Sequence, residues 1–265
     1  MKLDLMVLIK GAGEMASGVA FCLHQAHLRV VLSERPQPLA VRRAVSFCEA
    51  VHQGRMEVEG VTAVRVPGLD GLAAIWAAGQ IPLLVDPELA YLPALKPQVL
   101  VEATLNKQGL DLDMGDAPLV IALGPGFYAG RQAHVVVETN RGHDLGRLIY
   151  EGQAQANTGV PGDIGGLTWQ RVLRAPAAGG FEPSLELGAQ VALGQEVARV
   201  AGQPLLAGTA GLLRGLLRPG SLVHPGQKVG DIDPRGDPAY LRTISEKARA
   251  LGGAVLVAIM RQFNR

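Results

Sequence analysis

Two stretches of this chain superimpose at an offset of 32 residues: "LGAQVALGQEVARV" (187–200) and "PGSLVHPGQKVGDI" (219–232). Gly188 aligns with Gly220, Val191 with Val223, Gly194 with Gly226, Gln195 with Gln227, Val197 with Val229 and Val200 with Ile232. Upstream, Ala175 aligns with Ala207 and Gly179 with Gly211. So many matches at one offset mark an internal duplication of about thirty residues. Each copy is rich in valine and has glycine at its turns, so each reads as several short strands. A unit this small cannot bury its own apolar face, so the two copies are expected to fold together as one β module over 171–235.

The first 170 residues have a different texture. "LMVLI" (5–9) reads as a buried parallel strand, and Met15, Val19, Cys22, Leu23 and Ala26 then share one helical face. "RVVLSE" (29–34) reads as a second strand, Arg42–Val51 as a helix, "RMEVEGVTAVRV" (55–66) as a hairpin about Gly60, and 69–78 as a helix. "PLLVD" (82–86), "QVLVEAT" (98–104), "PLVIALGPGF" (118–127) and "AHVVVETNRG" (133–142) continue the apolar runs. Strand and helix alternating at this spacing predict an α/β domain with a Rossmann-like, mostly parallel sheet covered on both faces. The tail returns to helix: Ile244, Ala248, Leu251, Val255 and Ile259 recur at helical spacing behind Ser245, an N-cap residue. Gly252-Gly253 interrupts that helix at a cost of about 1 kcal/mol per glycine, which a close approach to the sheet would explain.

Composition narrows the function classes. A net charge of +1 gives no reason to expect nucleic acid or an anionic membrane as partner. Two cysteines, Cys22 and Cys48, without a CxxC, fit a reducing compartment and argue against a disulfide framework. The apolar run at 5–9 is too short for a signal core, and the C-terminal "AVLVAI" is too short to span a bilayer. A cytoplasmic protein is the expectation.

The opening loop carries the first chemistry. Gly11-Ala12-Gly13-Glu14-Met15-Ala16 fits GxGxxA. Gly11 would make the tight turn, Gly13 would admit a pyrophosphate close to the backbone, and Ala16 would sit where helix crosses strand. The helix that follows would point its free N–H groups at the anion. Glu34 ends the second strand 21 residues after Gly13, where a carboxylate can accept from ribose hydroxyls. Arg35, Arg42 and Arg43 stand nearby in sequence and leave NAD against NADP open. A βα turn that needs glycine only for packing is the alternative.

Three further stretches are dense in polar groups or glycine. "LGPGFYAGRQAH" (123–134) ends a buried strand in Gly124-Pro125-Gly126, and Phe127 or Tyr128 could stack on a ring or plug the turn. "HVVVETNRGHDLGRLIYEG" brings His134, Glu138, Thr139, Arg141, His143, Asp144 and Arg147. His134 and Glu138 on one strand would stand about 13 Å apart, too far to share an ion whose ligand bonds are about 2 Å. No protein-bound metal is therefore expected. Glu138 and His143 could meet around a turn, and Arg141 and Arg147 read as anion contacts or surface ion pairs. "NTGVPGDIGG" (157–166) is a long loop, either part of a binding site or a connector.

The β module resembles the barrel-sandwich hybrid of biotinyl and lipoyl domains. Those carriers place a lysine between their halves; the joint here, "VAGQPLL" (200–206), has none, and Lys228 is the only lysine in the repeats. The module therefore reads as structural or interaction-making.

A broader resemblance covers nearly the whole chain, from about residue 7 to 258. "GAGEMASGVA", "RRAVSFCEAV", "VETNRGHDLGRLIYEG", "NTGVPGDIGG", "LRAP", "GDIDPRGD" and "ISEKARALGG" are similar, in order, to the motifs of the YqeB-like proteins. Those are accessory proteins of selenium-dependent molybdenum hydroxylases, distantly similar to the XdhC-like maturation factors. The resemblance implies maturation or insertion of a molybdenum cofactor for a client of the xanthine dehydrogenase type. It supplies no catalytic residue, and neither cysteine stands in a reactive motif.

The expected layout is a Rossmann-like domain over 1–170, a barrel-sandwich module over 171–235 and a C-terminal helix over 236–265 that packs back. The expected site is Gly11, Gly13, Ala16 and Glu34 for a dinucleotide (NAD or NADP) or the molybdenum cofactor, with a second part from Gly124, Gly126, Arg141 and His143. An NAD(P)-dependent oxidoreductase and a scaffold with an empty loop stay open as alternatives, as do catalytic turnover and a homo-oligomeric state.

Overall fold

A computed structural model describes residues 4–106 and 112–264. The chain divides into two compact units. One is formed by 1–38, 46–157 and 244–265, the other by 39–45 and 158–243.

The first unit opens with β1 (Met6–Lys10), α1 (Glu14–Gln25) and β2 (Arg29–Glu34). There follow α2 (Ala50–Gln53), β3 (Arg55–Val58), β4 (Val61–Val66), α3 (Leu72–Ala77), β5 (Ile81–Val85), α4 (Leu92–Leu95), β6 (Val99–Glu102), β7 (Leu119–Leu123), β8 (Val135–Val137) and β9 (Leu148–Ile149). The sheet runs in the order β3-β4-β5-β2-β1-β6-β7-β8-β9. The inner seven strands are parallel, while β3 and β9 close the two edges antiparallel.

The expected Rossmann-like, mostly parallel sheet with helices on both faces is therefore corrected to a nine-stranded mixed sheet. The reason lies in the connections. Between β6 and β7 the described residues hold only a short 3-10 turn, Met114–Asp116, and between β7 and β8 "GPGFYAGRQAH" forms no helix. Glycine and proline at that density forbid a crossover helix. The expected helix over 42–51 is likewise broken into 3-10 turns at Arg43–Val45 and Phe47–Glu49 before α2.

One face of the sheet packs Leu8, Val31, Leu84, Leu100, Val120 and Val136 against Leu72, Leu95 and Phe127. Part of the helical cover comes from the far end of the sequence. The long C-terminal helix, Glu246–Phe263, lies along α1 and touches β7 and β8. Ser245 caps it, accepting from Ala248 N–H at 3.4 Å. A Cβ on Gly252 would stand 2.7 Å from Gly18 O and 2.8 Å from Cys22 Cβ, so that glycine permits approach to α1 rather than to the sheet. Glu59 ties the same region down, accepting from Ile244 N–H at 2.7 Å and from Arg249 Nη2 at 2.6 and 2.7 Å.

The second unit contains β10 (Val172–Arg174), β11 (Gly179–Pro183), β12 (Gln190–Val191), β13 (Glu196–Val200), β14 (Gln203–Leu206), β15 (Gly211–Leu216), β16 (Leu222–Val223), β17 (Lys228–Asp233) and α5 (Ala239–Arg242); the C-terminal helix of the first unit is α6. Its strands make two four-stranded sheets, β10-β17-β15-β12 and β14-β13-β11-β16. The duplication is visible in this pairing. Moving β11, β12 and β13 by 32 residues gives β15, β16 and β17, and each sheet takes strands from both copies. The matched turn glycines Gly194 and Gly226 even share left-handed backbones, with φ of 79° and 77°. Phe181, Val197, Val200, Leu213, Val229 and Ile232 fill the core.

The expected barrel-sandwich hybrid is corrected to these two open antiparallel sheets. Pairing ends at β10 and β12 on one sheet and at β14 and β16 on the other, so no strand hydrogen-bonds one sheet to the other.

Beneath this unit's surface lies a charge network. Asp231 accepts from Arg171 Nη1 at 2.5 Å and from Arg214 Nη2 at 2.5 Å, and Asp233 accepts from Arg214 Nη1 at 2.8 Å. Burial alone would raise the Asp231 carboxyl, but Lys228, Arg214 and Arg171 outweigh it and hold the value at about 2. Arg171 also donates to Gly162 O at 2.6 Å, so the network anchors the glycine-rich loop of 158–166.

Candidate functional site

The carboxyl ends of parallel strands leave a crevice where loops diverge. In the first unit that edge is lined by acids: Glu34 ends β2, Asp86 follows β5, Glu102 ends β6 and Glu138 follows β8. All four accept backbone N–H groups of their own loops. Asp86 takes Ala90 and Tyr91 at 2.8 and 3.0 Å, and Glu138 takes Asn140 and Gln155, both at 2.7 Å. Glu138 is thus a loop anchor, and His134 accepts at Nδ1 from Val120 N–H at 3.0 Å, away from it. Among the described residues, no group of three or more histidine, cysteine, aspartate or glutamate side chains could hold a metal ion.

The glycine loop is held from three sides. Gly11 turns with φ 100° and donates to Ser33 O at 2.7 Å. A Cβ there would press on Ala103 at 3.4 Å. Ala12 O accepts from Cys48 N–H at 2.8 Å and from Ser17 Oγ at 3.1 Å, and Ser17 Oγ in turn accepts from Phe47 N–H at 2.8 Å. Gly13 is the N-cap of α1, extended in backbone and offering no side-chain cap. The first N–H groups of a helix have no partner within it, and a Cβ on Gly13 would meet nothing within 4 Å. Ala16 is fully buried under the loop.

Glu34 serves the loop directly. Its Oε2 accepts from Ala12 N–H at 2.9 Å and its Oε1 from Arg35 N–H at 2.8 Å. Burial pushes its carboxyl up, against the pull of those N–H groups and the Arg35 charge. Each oxygen keeps one lone pair beyond these bonds. Arg42 and Arg43 are engaged in the second unit, Arg42 Nη2 on Tyr240 O at 2.9 Å and Arg43 Nε on Leu216 O at 2.8 Å.

The remaining predicted residues are dispersed by their own bonds. Gly124 turns with φ 88° and donates to Val137 O at 3.0 Å, and a Cβ there would strike Thr139 Oγ1 at 2.9 Å. Gly126 lies in the same turn, half-buried. Phe127 is fully buried in the core and so plugs the turn, while Tyr128 stacks under the Arg131 guanidinium at 4.4 Å. Arg141 pairs with Glu246 in the first turn of α6, and His143 is exposed.

Two residues of this edge escaped the motif reading. Lys10, the last residue of β1, lies opposite Glu102, the last of β6. Glu102 is completely buried; its Oε1 accepts from Thr104 N–H at 2.9 Å, and its Oε2 has no hydrogen-bond partner among the described residues. Burial pushes this carboxyl up, with Thr104 and the Lys10 charge pulling the other way. The available signal was an acid closing an apolar strand run, "QVLVEAT".

No family model matches the chain. Three solved structures that it resembles are an aspartoacylase family protein from Mesorhizobium loti, the ectoine utilization protein EutE (DoeB) from Ruegeria pomeroyi with product bound, and a succinylglutamate desuccinylase/aspartoacylase from Rhodobacter sphaeroides. The first is 10% identical, the other two 15%; they align over 86–87% of this chain and 85% of theirs, each with a TM-score of 0.28. Among the described residues, no helix is long and apolar enough to cross a membrane. A curated relative is an uncharacterized protein, YqeB of Escherichia coli strain K12, 48% identical over 255 residues. The match takes in 96% of this chain but 47% of that protein, so the chain spans about half the length of the curated relative it matches. The chain is thus a relative of YqeB across its own length, which bears out the resemblance to YqeB-like sequences.

Proposed function

We propose that the chain is an accessory protein in the maturation of molybdenum hydroxylases, including the selenium-dependent ones, and that it holds a phosphate-bearing ligand at the glycine loop. The ligand is a nucleotide or the molybdenum cofactor itself, carried as cargo for a client of the xanthine dehydrogenase type. The observation that carries this reading is the N-terminus of α1. Gly13 caps it without a side chain and leaves open space where a Cβ would be, beside a loop fixed by Glu34, Ser17 and Cys48. A helix start of that kind binds phosphate through backbone N–H groups and the positive end of its dipole. The residues fit such a group, and each acid of the edge accepts at least one backbone N–H group. The two-sheet unit supplies the surface that meets the client.

The test is a thermal-shift series on the purified chain with NAD, NADP, FAD and cytidine nucleotides, together with client maturation in cells carrying Gly13→Glu. Binding of a phosphate-bearing ligand and loss of maturation in the variant are expected. Turnover of NADH by the chain alone would instead make it an oxidoreductase. No shift with any nucleotide, with maturation intact in Gly13→Glu, would leave a scaffold.

A further inference from the structure

Among the described residues, Glu102 is the side chain at this edge with an unanswered polar atom. It is fully buried, and Oε2 finds no donor among the described residues. Leaving a buried acceptor unmade costs the folded state its desolvation, a cost that calls for an explanation such as a partner supplied from outside the chain. Its position fits such a role. Glu102 and Lys10 are register partners on adjacent parallel strands, so their side chains leave the same face of the sheet. Leu8 and Leu100, two residues earlier on each strand, place that face with the core beneath α3. Lys10 immediately precedes Gly11, and Ala103 and Thr104 after Glu102 are the residues that touch Gly11. The pair therefore stands beside the glycine loop, with no ion pair joining its members among the described residues.

Charge points the same way. Glu14 opens α1, and its carboxylate favours the helix but opposes an anion at that end. A phosphate seated there needs a cation, and Lys10, half-buried one residue before the loop, is the nearest in sequence.

We propose that Lys10 and Glu102 form a binding pair that reads the ligand of the glycine loop: the Lys10 ammonium meets its phosphate, and Glu102 Oε2 accepts from an N–H or O–H group beside that phosphate. This rests on the reading of the loop as a phosphate site and narrows its ligand to a phosphate ester with a hydrogen-bond donor close by. Ribose hydroxyls and the amino or ring N–H groups of a reduced pterin share that chemistry; bare pyrophosphate lacks it. Thr104, whose N–H meets the other oxygen of Glu102, is exposed.

Calorimetric titration of the full chain with pyrophosphate, NAD and cytidine diphosphate tests the pair, using Lys10→Met and Glu102→Gln, with a melting curve for each variant. Lys10→Met is expected to weaken every probe about tenfold, and Glu102→Gln to weaken the nucleotides about tenfold while sparing pyrophosphate. Melting of Glu102→Met at or above the wild-type temperature would show that the carboxyl is not kept for stability. Nucleotide affinity unchanged in a folded Glu102→Gln protein overturns the pair but leaves the phosphate site standing. A wild-type chain that binds none of the three probes overturns the pair together with the reading of the loop as a nucleotide site.

Discussion

At the scale of the residue, two adjacent glycines of α6 separate packing from propensity. Gly252 has the Gly18 carbonyl 2.7 Å from where a Cβ would stand, whereas Gly253 has nothing within 4 Å. Gly252→Ala should therefore destabilise the first unit by about 1–3 kcal/mol through overpacking. Gly253→Ala should stabilise it by up to about 1 kcal/mol through helix propensity. Denaturant midpoints of the two variants check both signs. Sequence pattern marked both glycines as costly; only the neighbouring helix tells which one is required. Glu34 makes the same point for the site. Its place at the end of β2 was legible, but its engagement with Ala12 N–H was not, because that contact joins residues 22 apart in sequence.

Elements differ in how they answer to acid. Asp231 is held at about 2 against an ordinary 3.8 by its cationic neighbours on β17, β15 and the turn before β10. A carboxyl with a lowered folded value stabilises fully above its unfolded value, and that contribution is lost as pH falls through about 2. The second unit should thus hold its stability down to the mid-acid range and lose it below, as circular dichroism during acid titration would show. Glu34 and Glu102 behave oppositely. Their folded values lie above the ordinary 4.5, so the folded state binds more protons and stability falls as pH rises from 4.5 through the raised values. Asp231→Asn removes the partner of two buried guanidinium groups and should cost about 3–5 kcal/mol, read from denaturant unfolding. It should also free the 158–166 loop, which Arg171 anchors at Gly162, seen as faster proteolysis there.

For the whole molecule, the chain is discontinuous in both units. The first unit is completed by residues 244–265, and the second takes 39–45 from early in the sequence. The short early segment is tied in by Leu216 N–H on Val41 O at 2.8 Å and by the Arg42 and Arg43 bonds to carbonyls of the same unit. Deleting 244–265 should uncover α1, β7 and β8 and abolish cooperative unfolding of the first unit, detected as dye binding to exposed apolar surface and a broadened melt.

What the amino-acid order determined by itself was local. Periodicity placed the β3–β4 hairpin, the strands β1, β2 and β5 to β8 and the capped C-terminal helix, and the offset of 32 exposed the duplication that pairs β11 with β15 and β13 with β17. Gly11 of the opening loop was legible because a left-handed turn favours that residue type. Tertiary structure alone decided the rest. It added the antiparallel β9 edge to the first sheet, spread the second unit over two open sheets, withdrew Phe127 into the core, tied Arg141 to Glu246 and left Glu102 Oε2, among the described residues, unpartnered on the strand next to Lys10. Strand pairing and the burial of a carboxyl depend on residues tens of positions away, and no local period encodes which of them arrive.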